Sequence, residues 1–181
     1  LGSSNVHHNN YIYLSVGAPE QSSSKIRALA QDINSKFGKI LEINKKNLDI
    51  INIDQENGLD LKIFTMGHRN PQGLTKINNT FFSVEHGPRG GDNIGMVKYA
   101  GNFGWKDIAW GGREYYGGKI GDEAFKDKYD KHLISWVPSI GVGQIDFYHG
   151  ETFKNWNGDM IVCSTKTGLL IRLKFKNNKI V

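Results

Sequence analysis

The chain has little of several things, and each shortage removes a class of protein. Of its 181 residues only one is cysteine, Cys163, so no intrachain disulfide and no cysteine-built zinc cluster can form. Cys163 stands in the apolar run Met160-Ile161-Val162-Cys163, which predicts a buried, inert thiol. No apolar run approaches the ~20 residues a membrane helix needs, and no N-terminal stretch has the layout of a signal peptide. The compartment stays open on these residues. Arginine is scarce, at 27, 69, 89, 113 and 172. A formal charge of +5 therefore reads as a solvated lysine surface rather than as a nucleic-acid interface, which would use arginine to read bases. Prolines number only four while glycines number 22 and aromatics make up 11%, the balance of a turn-rich β protein.

What is present is a weak internal repeat. Asn9-Asn10 precedes the strand-like run Tyr11–Gly17, Asn78-Asn79 precedes Thr80–Val84, and Asn157-Gly158 precedes Asp159–Ser164. Each is a turn pair that tolerates positive φ, followed by β-branched or aromatic residues. Further strands are legible at Gly38–Ile43, Leu61–Phe64 and Leu169–Phe175. Such units predict an all-β fold of radial blades in one domain over 1–181. Two connections stand apart. Ser22–Phe37 carries Ile26, Leu29, Ala30, Ile33 and Phe37 at helical spacing behind a serine, which predicts a short helix. Gly111–Lys131 reads as an exposed connection. His7 and His8 read as surface residues, and Asn78-Asn79-Thr80 as a hairpin turn rather than a glycan site.

Four motifs could carry chemistry. Gly67-His68-Arg69-Asn70-Pro71-Gln72-Gly73 crowds polar side chains between glycines, suited to a planar acidic ligand. Taken alone it reads slightly better as a turn in which Arg69 and Asn70 satisfy backbone groups. Glu85-His86-Gly87-Pro88-Arg89-Gly90-Gly91-Asp92-Asn93 exposes carbonyls at Gly87 and Pro88 and adds oxygens at Asp92 and Asn93, a set for a hard cation such as calcium. Glu85 with His86 leaves an acid–base pair or a transition metal open. Trp136–Gly141 contains Ser139, and Ser164–Gly168 places Lys166 between an apolar strand and a glycine, aimed at a central funnel or simply solvated. Gly101-Asn102-Phe103-Gly104-Trp105 reads as a turn pinned by a buried tryptophan.

In register, His68–Gly73 and Glu85–Pro88, with Ala30-Gln31-Asp32, Gly38–Leu41 and Ile171–Leu173, resemble the soluble glucose and aldose sugar dehydrogenases that use pyrroloquinoline quinone. The resemblance implies about three blades of a six-bladed propeller. It implies Arg69, Asn70 and Gln72 at the quinone, Ser139 near it, Lys166 pairing with its oxygens, and a calcium on Gly87, Pro88 and Asp92. In that family a histidine base takes the sugar's anomeric hydroxyl proton while hydride passes to the quinone. The alignment puts that histidine upstream of Leu1, and an arginine pair and the other half of the ring beyond Val181. Ala18, Glu42, Asn93 and Gly141–Gln144 depart from the family pattern; Asn93 replaces a glutamate of a second, structural calcium site. The expectation is thus a quinone-dependent sugar dehydrogenase or, alternatively, an inactive half-propeller serving as a binding module. Two copies would close a six-bladed homodimeric ring. A small sugar is the partner expected, with neither nucleic acid nor membrane.

Overall fold

A computed structural model describes residues 2–19, 24–46, 61–177 and 179–181. Among them run sixteen short strands. The first sheet pairs β1 (Asn5–His8), β2 (Tyr11–Val16), β3 (Lys39–Asn44) and β4 (Leu61–Met66) antiparallel, with β8 (Gly101–Asn102) alongside β4 in parallel. The second is ordered β11-β7-β6-β5, from Ile134–Trp136, Asp92–Val97, Thr80–Glu85 and Pro71–Ile77. The third holds β12 (Val142–Phe147), β13 (Met160–Ser164) and β14 (Leu170–Leu173). Two ribbons complete the set: β9 (Ile108–Arg113) with β10 (Lys119–Gly121), and β15 (Phe175–Lys176) with β16 (Lys179–Ile180).

The three main sheets stack face against face rather than closing on themselves. β5 packs on β1 and β2 of the first sheet and on β12 of the third. The central sheet is therefore covered on both sides, and β6 shows why its sequence permits this. Successive strand residues point to opposite faces. Phe81 goes to a cluster with Tyr13, Ile40 and Phe64 of the first sheet, while Phe82 and Val84 go to one with Val142, Ile145 and Val162 of the third. Burying a side chain of this size contributes roughly 1.5–3 kcal/mol. A strand covered on both faces carries apolar residues on each, interrupted here only by the buried Ser83 between Phe82 and Val84. β2, less enclosed, alternates buried and half-buried positions instead.

The asparagine turns form as expected. Asn9 and Asn78 take φ 52° and 53° in the tight β1–β2 and β5–β6 connections. The third turn pair lies differently, closing a longer connection of residues 148–159 between β12 and β13, with Gly158 at φ 85°.

Three expectations need correction. The helix α1 spans Ser24–Ala28 only, and Ile33 and Phe37 are exposed rather than on a buried face. Ser22 and Ser23 lie outside the described residues. Asp32 and Ser35 bond the amides of Asn34 and Phe37, so their side chains compete for the backbone and turn the chain. The second correction concerns Gly111–Lys131, which contains the β10 ribbon strand and a buried acid, Glu114, paired with Arg27. Third, Cys163 is only half-buried: β13 buries Met160, Val162 and Ser164, and Cys163 falls on the opposite face, where its Sγ accepts from the Gln144 amide at 3.0 Å.

Candidate functional site

Antiparallel pairing returns the end of one strand beside the start of the next. The motifs at the end of β6 and the starts of β5, β7 and β12 are thereby gathered at one end of the sheets. The centre of this group is Arg69. Its guanidinium donates to the carbonyls of His86 and Gly87, both at 3.1 Å, and lies 5.4 Å from the Trp105 ring. Trp105 is buried, as expected, yet it also forms part of the wall of a small open cleft with Arg69, His86, Gly87, Pro88 and Trp110. Gly87 must be glycine: a Cβ there would lie 2.1 Å from the Gly90 carbonyl.

Ser139 and Lys166 join the same end from the second and third sheets. The Gly90 amide donates to Ser139 Oγ at 2.9 Å, and the Lys166 ammonium donates to the Ser139 carbonyl at 3.2 Å. The connection from Arg69 to Lys166 thus runs through the Gly87–Gly90 turn. Asn70 and Gln72 are placed otherwise. Asn70 Oδ1 accepts from the Gly2 amide at 2.7 Å, and Gln72 lies against Gly2, so both side chains meet the N-terminal segment rather than the Arg69 cleft.

Asp92, expected at a calcium, is held by backbone amides. Its carboxylate accepts from the Gly87 amide at 2.9 Å and from the Gly141 and Val142 amides at 2.6 and 3.2 Å. A buried carboxylate shared among three amides is a staple between the second and third sheets. Among the described residues no group of three or more His, Cys, Asp or Glu side chains is arranged to hold a metal ion. What remains for a hard cation is the pair of neutral carbonyls at Gly87 and Pro88. The Gly87 oxygen, already bonded to Arg69, keeps a second lone pair.

Sequence reasoning missed a buried polar cluster behind the cleft. Glu85, fully enclosed, has one oxygen 3.0 Å from the Arg69 amide and 3.5 Å from His68 Nδ1. The other lies 3.9 Å from His132 Nε2 and 3.4 Å from the Asn93 amide. Burial alone would push the Glu85 carboxyl up. The adjacent His68 ring, with His132 and the Arg69 amide, outweighs it and holds the group below the usual carboxylate range. Burial pulls His132 down to about 4 against the opposing pull of Glu85, so at neutral pH its ring is uncharged, stacked on Phe103 at 5.2 Å. Glu85 was visible as a strand-end acid. His132 sits in a polar stretch 47 residues away, and no local pattern joins the two.

The buried ammonium of Lys39 was equally hidden. It donates to the carbonyls of Leu29, Ala30 and Phe37 at 2.8–2.9 Å, tying the α1 connection to the first sheet.

With this geometry in view, the comparisons with known proteins agree among themselves. Aldose sugar dehydrogenase YliI of Escherichia coli is 27% identical over 176 residues, which cover 94% of this chain and 46% of that protein. Quinoprotein glucose dehydrogenase B of Acinetobacter calcoaceticus is 35% identical over 80 residues, 44% of this chain and 17% of its own. The crystal structure of the soluble aldose sugar dehydrogenase of Escherichia coli in the apo-form superposes with a TM-score of 0.82 at 26% identity, covering 98% of this chain and 52% of that one. The fold is accordingly a β-propeller of the sugar dehydrogenase type, with about three blades here, and the chain spans about half the length of the relatives it matches. The sequence model of the family described as Glucose / Sorbosone dehydrogenase matches residues 2–181, and the chain belongs to that family.

Proposed function

We propose that the chain supplies part of a pyrroloquinoline quinone site, centred on the Arg69 cleft, for the oxidation of an aldose. The observation that carries this is the Arg69 guanidinium, held by two carbonyls beside Trp105 at the Gly87–Pro88 turn. A planar polycarboxylate suits such a donor set, since guanidinium, ammonium and hydroxyl from Arg69, Lys166 and Ser139 present positive charge and hydrogen at one end of the sheets. Bound there, the quinone would supply the two-electron acceptor for sugar oxidation. Arg69 and Lys166 would hold its anionic groups, Ser139 would orient it, and Trp105 would shield one side from water. Asn70 and Gln72 would contribute only by moving away from Gly2. Gly87 and Pro88 would offer their carbonyls to calcium, a hard ion matched to neutral oxygen ligands.

Titration with pyrroloquinoline quinone, with and without calcium, followed by absorbance and by dye reduction with an aldose, tests the reading. A shifted quinone spectrum that needs Arg69 supports it. Flat spectra under both conditions would leave the alternative, a propeller scaffold without turnover.

A second copy of the chain is the partner we favour. Leu170 at the start of β14 and Leu169 just before it are 67% and 56% exposed at the edge of the third sheet, and an apolar surface of this kind is covered by a neighbour in a closed ring. Light scattering at micromolar concentration should return twice the 20.3 kDa chain mass, and a monomer would rule the closed homodimer out.

A further inference from the structure

Among the described residues, His86 is the polar side chain that both crosses from the second sheet to the third and lines the Arg69 cleft. Its Nε2 lies 2.6 Å from the Val142 carbonyl. A carbonyl can only accept, so Nε2 carries the hydrogen, and in the neutral ring Nδ1 is left as a bare acceptor. The backbone of His86 is held as firmly: its amide donates to the Asn70 carbonyl at 3.0 Å, and its carbonyl takes the Arg69 guanidinium. The ring is half-buried, and nothing else among the described residues is bonded to it.

Apart from the Gly87 and Pro88 carbonyls, the polar groups of the cleft wall are committed elsewhere or cannot accept. Arg69 is a donor only, Glu85 accepts from the Arg69 amide, and the Trp110 indole donates to the Phe103 carbonyl at 3.2 Å. Asn93 Oδ1 is bare too, but it is sealed from solvent. We propose that His86 is a ligand-binding residue whose Nδ1 accepts a hydrogen bond from a hydroxyl of a neutral sugar entering the cleft. The assignment rests on the sugar reading above and adds a named contact to it. A bare imidazole nitrogen recognises a hydroxyl donor and repels a carboxylate, so it selects for the aldose rather than for an aldonic acid.

Long-range proton–nitrogen NMR on the nitrogen-15-labelled chain tests this directly. At pH 8 the His86 ring is expected as the Nε2–H tautomer, and D-glucose should move the Nδ1 resonance while sodium gluconate does not. An Nδ1–H tautomer, or an Nδ1 signal unmoved at saturating D-glucose, overturns the assignment. His86→Leu should weaken D-glucose binding about five- to tenfold, and His86→Gln, which keeps both a donor for Val142 and an acceptor, should recover part of it. Equal affinity in wild type and His86→Leu would also overturn it. If the leucine variant fails to fold, the tautomer and glutamine results decide. Absorbance in the same samples with added quinone keeps the two readings apart: a flat quinone spectrum with a glucose-responsive His86 sinks the quinone site and leaves this contact standing.

Discussion

Two buried acids seven residues apart on the second sheet have opposite surroundings. Asp92 has its oxygens matched to three backbone amides from two sheets. Glu85 faces two histidines at 3.5 and 3.9 Å, and in its neighbourhood His68 Nδ1, Asn93 Oδ1 and both ring nitrogens of His132 are buried without a hydrogen-bond partner. Backbone amides are fixed donors that cannot titrate, so none of the partners of Asp92 changes its charge. Histidines change donor count and charge with pH, so the Glu85 arrangement is conditional. One acid is a fastening. Its neighbour responds to acid.

The largest expected effect comes from breaking the fastening. Asp92→Ala strands three amides, two of them on the turn that carries Ser139 and on the start of β12, and should cost about 3–5 kcal/mol in urea unfolding. Asp92→Asn keeps some acceptor capacity and should cost less. If both cost under about 1 kcal/mol, the staple is not what holds the second and third sheets in register.

Next in size is acid. His132 titrates near 4 in the fold against about 6.5 when unfolded, so the unfolded chain binds more protons in that window and stability falls as pH drops from about 6.5 to 4. The Glu85 carboxyl is held low in the fold, so its contribution is present above its unfolded value of 4.5 and is lost as pH falls below it. Together they should remove on the order of 3 kcal/mol between pH 7 and pH 4, read by denaturant midpoints across pH. A flat profile would mean the cluster does not discriminate charge states.

His132→Phe sharpens the comparison further. It keeps an aromatic ring beside Phe103 and removes two unpartnered nitrogens, so neutral-pH stability should change by less than about 1 kcal/mol or rise. The decline between pH 6.5 and 4 should shrink. A variant as acid-labile as wild type would move the sensitivity to other groups. The smallest stability effect belongs to Lys166→Met. Lys166 is exposed with one carbonyl contact, so unfolding should shift by under about 0.5 kcal/mol while quinone affinity drops about tenfold. By contrast Lys39→Met, which strands three buried carbonyls, should cost about 2–3 kcal/mol without touching the cleft.

Particular residues mark how far the reading from sequence reached. Strands with strong local signals were legible: the Thr80–Val84 run, bounded by Asn78-Asn79, became β6 within a residue. The helix over Ser22–Phe37 was overdrawn because its periodicity was real only as far as Ala30. Beyond it, Asp32 and Ser35 fold back on their own backbone, a choice that apolar spacing does not register. Within the site, Arg69, Gly87 and Pro88 met on one cleft as their motifs suggested, and Ser139 with Lys166 joined at its margin. Asp92 looked like a ligand because an acid in a glycine-rich turn has that chemistry. Only the positions of the Gly141 and Val142 amides, some fifty residues away, reveal that it also ties the second sheet to the third.

Local order in the chain determined the elements: turn pairs that accept positive φ, alternation that places side chains on two faces, and glycines where the backbone must approach closely. These depend on neighbours in sequence, and short-range sterics impose them in any surroundings. Which sheet each face of β6 meets, which acid is saturated and which titrates, and which nitrogen of His86 stays bare were decided by the tertiary structure alone. Each depends on groups brought together from distant parts of the chain, and hydrogen bonding and desolvation act only at contact.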